Sequence, residues 1–118
     1  MTNQPQPAAT VYFDGACPIC SREVAAYRGL AGADRLDFVD ATSCDALGPG
    51  LTRGAALARM HVRRADGTLA SGAAAFVEIW RHLPRLAWAA RLAALPLVLP
   101  VLEIGYRVFL RIRPLWRR

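Results

Sequence analysis

The stretch TVYFDGACPIC spans residues 10–20. Thr10–Phe13 is a short β-branched and aromatic run, the composition of a buried strand. Asp14, Gly15 and Ala16 break it, and a helix fits from Cys17 to about Leu30, with Pro18 near its first position, where a missing N–H is no loss. Val24, Tyr27 and Leu30 fall on one face of that helix. Cysteines at i and i+3 lie about one turn apart on one side, within reach of a disulfide. Cys17 sits at the helix start, where unpaired N–H groups and the macrodipole favour an anion, and the thiolate is the nucleophile of thiol chemistry. The geometry therefore predicts an exposed attacker at Cys17 and a more buried resolver at Cys20.

Asp14 has two readings. It serves as proton acceptor for the Cys20 thiol, or as an acid that tunes both thiols; or it caps the loop by accepting backbone N–H groups. A carboxylate beside Cys17 would oppose the helix terminus.

Working outward, residues 36–39 read as a second strand, parallel to the first because a helix connects them. Residues 43–50 read as a loop or short helical turn. Thr52 caps a helix over Arg53–Arg59. Residues 60–63 form a third strand, and Asp66-Gly67 is a hairpin turn before a fourth at 68–70. Ser71 or Gly72 opens a helix through Phe76, Ile79 and Leu83, ended by Pro84. Two further helices fit at about 85–95 and 97–113. The order β-α-β-α-β-β-α resembles the thioredoxin-like arrangement: an α/β fold, a small central sheet flanked by helices, with a helical C-terminal extension. The chain divides into a leader at 1–9, read as disordered, a redox domain at 10–84, and the extension with its basic tail at 85–118.

The 118 residues suit one domain with its own core. The formal net charge is +6, and all 15 basic residues are arginine. Arg107, Arg111, Arg113, Arg117 and Arg118 crowd the end, leaving the rest nearly neutral. That points to a basic tail and away from a nucleic-acid-binding domain. Three cysteines make no disulfide framework, and MTNQPQPAAT lacks the pattern of a secretory signal. The expected compartment is reducing and cytoplasmic, where a CxxC pair is catalytic or metal-binding rather than structural.

Half of a metal site is the competing reading of the CxxC, with Cys44, His61 and His82 as the residues to complete it. They are scattered, and there is no second CxxC or His-x3–5-His, so redox chemistry is favoured. Cys44 reads as a free cysteine rather than a third redox thiol, His61 as a packed or surface histidine, and His82 as a partner for helix-end carbonyls. Trp80 and Trp88 read as core. The apolar stretch 86–102 is broken by Arg91, Pro96 and Pro100, short of the ~20 residues of a spanning helix. The last helix sets Val101, Ile104, Val108 and Ile112 on one side and Glu103, Arg107 and Arg111 on another, with Glu103 and Arg107 an i,i+4 pair. It reads as a helix packed on the domain, or, with Trp116, as an amphipathic helix on an anionic membrane.

VYFDGACPIC at 11–20 resembles the signature of the DCC-motif thiol–disulfide oxidoreductase family, whose Asp, Cys and Cys stand here as Asp14, Cys17 and Cys20. Met60-His61-Val62, the Asp66-Gly67 turn, Gly72, Ala75-Phe76, and a Leu-Pro segment before a Tyr- and Arg-containing helix are also similar to it. The resemblance implies a thioredoxin-like fold and disulfide exchange with a protein or small-thiol partner. No cofactor is expected, because the electrons reside in the cysteine pair. One departure concerns substrate handling: thioredoxin-like proteins place a cis-proline before the third strand, and Arg59 and Met60 stand there instead. The alternative function is a non-enzymatic metal-binding or membrane-peripheral adaptor.

Overall fold

A computed structural model describes residues 7–43 and 47–115. The elements follow in the order β1 (Ala9–Phe13), α1 (Pro18–Arg28), β2 (Leu36–Asp40), α2 (Arg53–Ala58), β3 (His61–Arg64), β4 (Leu69–Ser71), α3 (Ala73–Arg81), α4 (Ala87–Ala93) and α5 (Val98–Ile112), with 3-10 turns at Ala33–Arg35, Pro84–Leu86 and Arg113–Leu115. The sheet order is β2-β1-β3-β4. β1 runs parallel to β2 and antiparallel to β3, and the β3–β4 hairpin closes the far edge. This is an α/β fold of the thioredoxin-like kind with helices added at its C-terminus.

The strand period of two sorts the core into two layers. Val11 and Phe13 of β1 join Val62 of β3 on one face, where Val24 and Tyr27 of α1 and Ala75 and Ile79 of α3 cover them. Tyr12 points to the other face and packs with Ala41, Leu47, Leu51 and Ala56 of α2. Leu83, just past α3, is fully buried. Each fully buried aliphatic side chain of this core contributes about 1.5–3 kcal/mol. Glu78 of α3 is also buried, and it is satisfied by Arg64 of β3 at 2.8 Å and by Arg81.

Thr52 caps α2 as expected, its hydroxyl accepting the Ala55 N–H at 3.1 Å. Trp80 packs at the core edge and donates to the Tyr27 hydroxyl at 2.9 Å. Trp88 departs from expectation: it is 64% exposed, because the two-turn helix α4 buries its small residues Ala90 and Ala93 instead. In α5 the expected Glu103–Arg107 pair forms at 2.8 Å. The side that meets the rest of the molecule carries Glu103, Tyr106, Phe109 and Arg113, whereas Val101, Ile104, Val108 and Ile112 stay exposed. The reason is visible in the bonding. Glu103 accepts two bonds from Arg59 at 2.6 and 2.7 Å and the N–H of Ala73, at the start of α3, at 3.1 Å. Tyr106 packs edge-on against Phe76 of α3, centroids 5.4 Å apart.

Gly72, which caps α3, is required by this junction. Its φ of +63° with ψ of −136° is a glycine conformation, and a Cβ there would run into Arg59 and Glu103. Most of the leader, the loop cysteine Cys44, and Trp116, Arg117 and Arg118 of the basic tail lie outside the described residues.

Candidate active site

The CxxC loop is built by backbone hydrogen bonds at the end of β1. The Cys17 N–H donates to the Asp14 carbonyl at 3.1 Å, and the Ser21 hydroxyl donates to the Gly15 carbonyl at 3.1 Å. The Gly15 N–H donates to Asp40 Oδ1 at 3.1 Å, and a Cβ on Gly15 would collide with that carboxylate. Burial alone would raise the Asp40 carboxyl, but bonds from Thr42 and Gly15 hold it below its ordinary value. Asp40 thus clamps the loop from the end of β2, a role its sequence position does not advertise.

Cys17 is the N-cap of α1, with Pro18 following it in the first turn. Its Sγ accepts the Cys20 N–H at 3.4 Å. The two cysteines approach to 2.9 Å and neither is in a disulfide. The expected order of exposure is reversed: Cys17 is fully buried, and Cys20 is half-buried and lines a cavity of about 170 Å³. The N-cap geometry accounts for this. Turning the Cys17 sulfur back over the first turn brings it to the Cys20 N–H, while Cys20, one turn on, faces the space between α1 and α5.

That space is walled by Ile19, Met60, Tyr106 and Phe109, with Asp14 and Arg113 at its polar end. Burial, then the hydrogen bond and charge of Cys17, push the Cys20 thiol up to about 12; Asp14 adds to the rise and Arg113 opposes it. Cys20 is therefore a protonated thiol at neutral pH.

Asp14 makes a loop-cap bond and also faces the cavity. Oδ1 accepts the Ala16 N–H at 3.0 Å, as a loop cap does. Oδ2 lies 3.6 Å from Arg113 Nη1, and the carboxylate opens on the cavity that holds Cys20. Arg113 also donates to the Leu57 carbonyl at 2.8 Å, which ties the end of α5 to α2 and to the CxxC loop together. Its Nε is buried with no hydrogen-bond partner.

At the loop before β3, the Met60 N–H donates to the Tyr106 hydroxyl at 2.7 Å. No proline stands there, and a side chain from α5 occupies the backbone donor. Burial raises the Tyr106 phenol, so the hydroxyl stays protonated.

The histidines are elsewhere engaged. His61 Nδ1 lies 2.9 Å from the Arg59 carbonyl. His82 ends α3 through its backbone N–H, its ring Nε2 is buried 3.9 Å from Glu78 with no hydrogen-bond partner, and burial with the adjacent Arg81 lowers its basicity. Among the described residues no group of three His, Cys, Asp or Glu side chains is placed to hold a metal ion.

The structure brings Asp14 and Cys20, both singled out from the sequence, to one cavity with Tyr106, Phe109 and Arg113, which were not, and leaves Cys17 buried beside it. The available signal was the Tyr- and Arg-containing last helix, whose residues 106, 109 and 113 recur at helical spacing opposite the apolar stripe. A family model described as DCC1-like thiol-disulfide oxidoreductase matches residues 11–118. No curated protein and no solved structure matches the chain.

Proposed function

The chain belongs to the DCC1-like thiol-disulfide oxidoreductase family, and we propose that it exchanges a Cys17–Cys20 dithiol for the disulfide of a protein or small-thiol partner. The observation that carries this reading is the division between the two sulfurs. Cys17 caps α1 and its sulfur accepts the Cys20 N–H at 3.4 Å, while burial and the Cys17 sulfur keep the proton on Cys20.

The Cys17 thiolate attacks one sulfur of the partner disulfide, forming a mixed disulfide and expelling the other sulfur as thiolate. Cys20 then gives up its proton and attacks the Cys17 sulfur. This forms the Cys17–Cys20 disulfide and releases the reduced partner. Asp14, on the same cavity, is the acceptor proposed for that proton. Two thiol groups of a protein dithiol or of two small thiols run the exchange in reverse, regenerate the Cys17–Cys20 dithiol and leave as a disulfide. A reducing, cytoplasmic setting suits a chain whose three cysteines make no framework.

Because Cys17 is fully buried, attack requires a local movement that exposes its sulfur before a partner sulfur reaches it. Trapping tests the assignment. In a Cys44→Ser background, Cys20→Ser is expected to accumulate mixed disulfides that a reductant releases, and Cys17→Ser few. Trapping by Cys17→Ser alone would make Cys20 the attacker. Zinc retained by the wild type with no trapping by either variant would support the metal-binding adaptor instead.

A further inference from the structure

We propose that the outer face of α5 docks the protein on an anionic membrane surface, with the helix lying in the interface rather than spanning it. Val101, Ile104 and Val108 are 65, 62 and 55% exposed, and Leu97 and Leu115 at the two ends exceed 80%. Along α5 these residues recur at three- and four-residue spacing and form one outward stripe. Arg107 and Arg111 are exposed beside it and share a shallow groove with Ile104 and Val108.

The charge pattern chooses the occupant. Between residues 84 and 115 the sole carboxylate is Glu103; it is turned inward onto Arg59 and the Ala73 N–H, and Arg107 reaches back to it at 2.8 Å. Its charge is thus shared between Arg59 and Arg107, and the outer stripe itself carries apolar side chains and Arg111 with no acid of its own. A second copy of the chain would bring more arginines to this face than its one shared carboxylate can pair. An anionic bilayer supplies both the apolar medium and the opposite charge.

Spanning is opposed by the same geometry. No single helix among the described residues is long and apolar enough to cross a membrane, and the segments 84–93 and 98–115 meet at a bend of 100°. The inner side of α5 is bonded to Arg59, Met60 and Leu57 through Glu103, Tyr106 and Arg113, which holds the helix flat against the molecule.

The test is sedimentation of the full chain with vesicles of phosphatidylglycerol and phosphatidylcholine, against phosphatidylcholine alone, at low and high salt. Binding to the anionic vesicles, weakened at least tenfold by high salt, is expected. Arg111→Gln should weaken it on the order of fivefold. The double variant Ile104→Ser with Val108→Ser should weaken it at least tenfold. Both positions are exposed, so an unchanged unfolding midpoint shows that the fold is intact. Equal sedimentation with both vesicle types, none with either, or binding indifferent to these substitutions overturns the proposal. So does a concentration-dependent dimer that the double variant abolishes in the absence of vesicle binding, which would assign the face to a second copy.

Discussion

Cys20 lies between two opposite charges, and that placement makes its reactivity adjustable from either side. Asp14 raises the thiol and Arg113 lowers it, on top of the larger effect of burial. Asp14→Asn keeps an oxygen for the Ala16 N–H but removes the negative charge. In a Cys17→Ser, Cys44→Ser background, alkylation of Cys20 at pH 9 is expected to speed up roughly threefold to tenfold. Arg113→Gln keeps a donor for the Leu57 carbonyl and removes the positive charge, so the same rate is expected to fall by a similar factor. Opposite signs follow from electrostatics; a simple opening of the cavity would raise both rates. If Asp14 also takes the Cys20 proton, Asp14→Asn in the otherwise unaltered chain should prolong the mixed disulfide despite the more acidic thiol. Rapid-quench analysis of the adduct reads that out.

Helix α5 is held mainly by directed polar contacts. Its anchors are the Arg59–Glu103 pair, the Glu103–Ala73 bond, the Tyr106–Met60 bond and Arg113, and none of its residues is fully buried. Gly72→Ala forces a side chain into a glycine conformation and into the Arg59–Glu103 contact. A loss of roughly 1–3 kcal/mol in denaturant unfolding is expected, with faster amide exchange along α5. Acid should act on the same anchor. Burial alone would raise Glu103, but the Ala73 N–H and the guanidinium groups of Arg59 and Arg107 leave it lowered overall. A lowered folded value means that this stabilisation is complete above the ordinary 4.5 and is lost as pH falls below it. Amide exchange in α5 should therefore accelerate below about that pH, and Glu103→Gln should remove the dependence. These anchors also mark the limit of what was legible in the sequence. Strand–CxxC–helix, the Thr52 cap and the Asp66-Gly67 turn are local chemistry, readable over a few neighbouring residues. The pairing of Tyr106 with Met60, and of Arg113 with Asp14, joins residues far apart in the chain. No local pattern distinguishes Glu103 as an inward anchor from Glu103 as a surface partner of Arg107. Burial of Cys17 was missed for the same reason: a helix start is exposed only if nothing distant covers it.

At the scale of the whole molecule, the redox state should change the alkaline limb of stability. Burial, then the Cys17 sulfur, push the Cys20 thiol from the ordinary 9.0 up to about 12, so the reduced folded state holds its proton through that interval. Stability from this group is full below about 9 and declines as pH rises through about 12. The Cys17–Cys20 disulfide has no such proton. Denaturant unfolding from pH 8 to 11 should therefore show a steeper loss for the reduced protein than for the oxidised one. Burial raises Tyr27 as well, which bends both curves alike and cancels in their difference.

The route from Asp14 to Arg113 runs nearly the length of the chain, and ribosomes make chains from the N-terminus. The dithiol of a growing polypeptide is therefore complete long before the helix that roofs it. During that interval the Cys20 thiol stands open to oxidants and other thiols, and its cavity closes only when Tyr106, Phe109 and Arg113 dock.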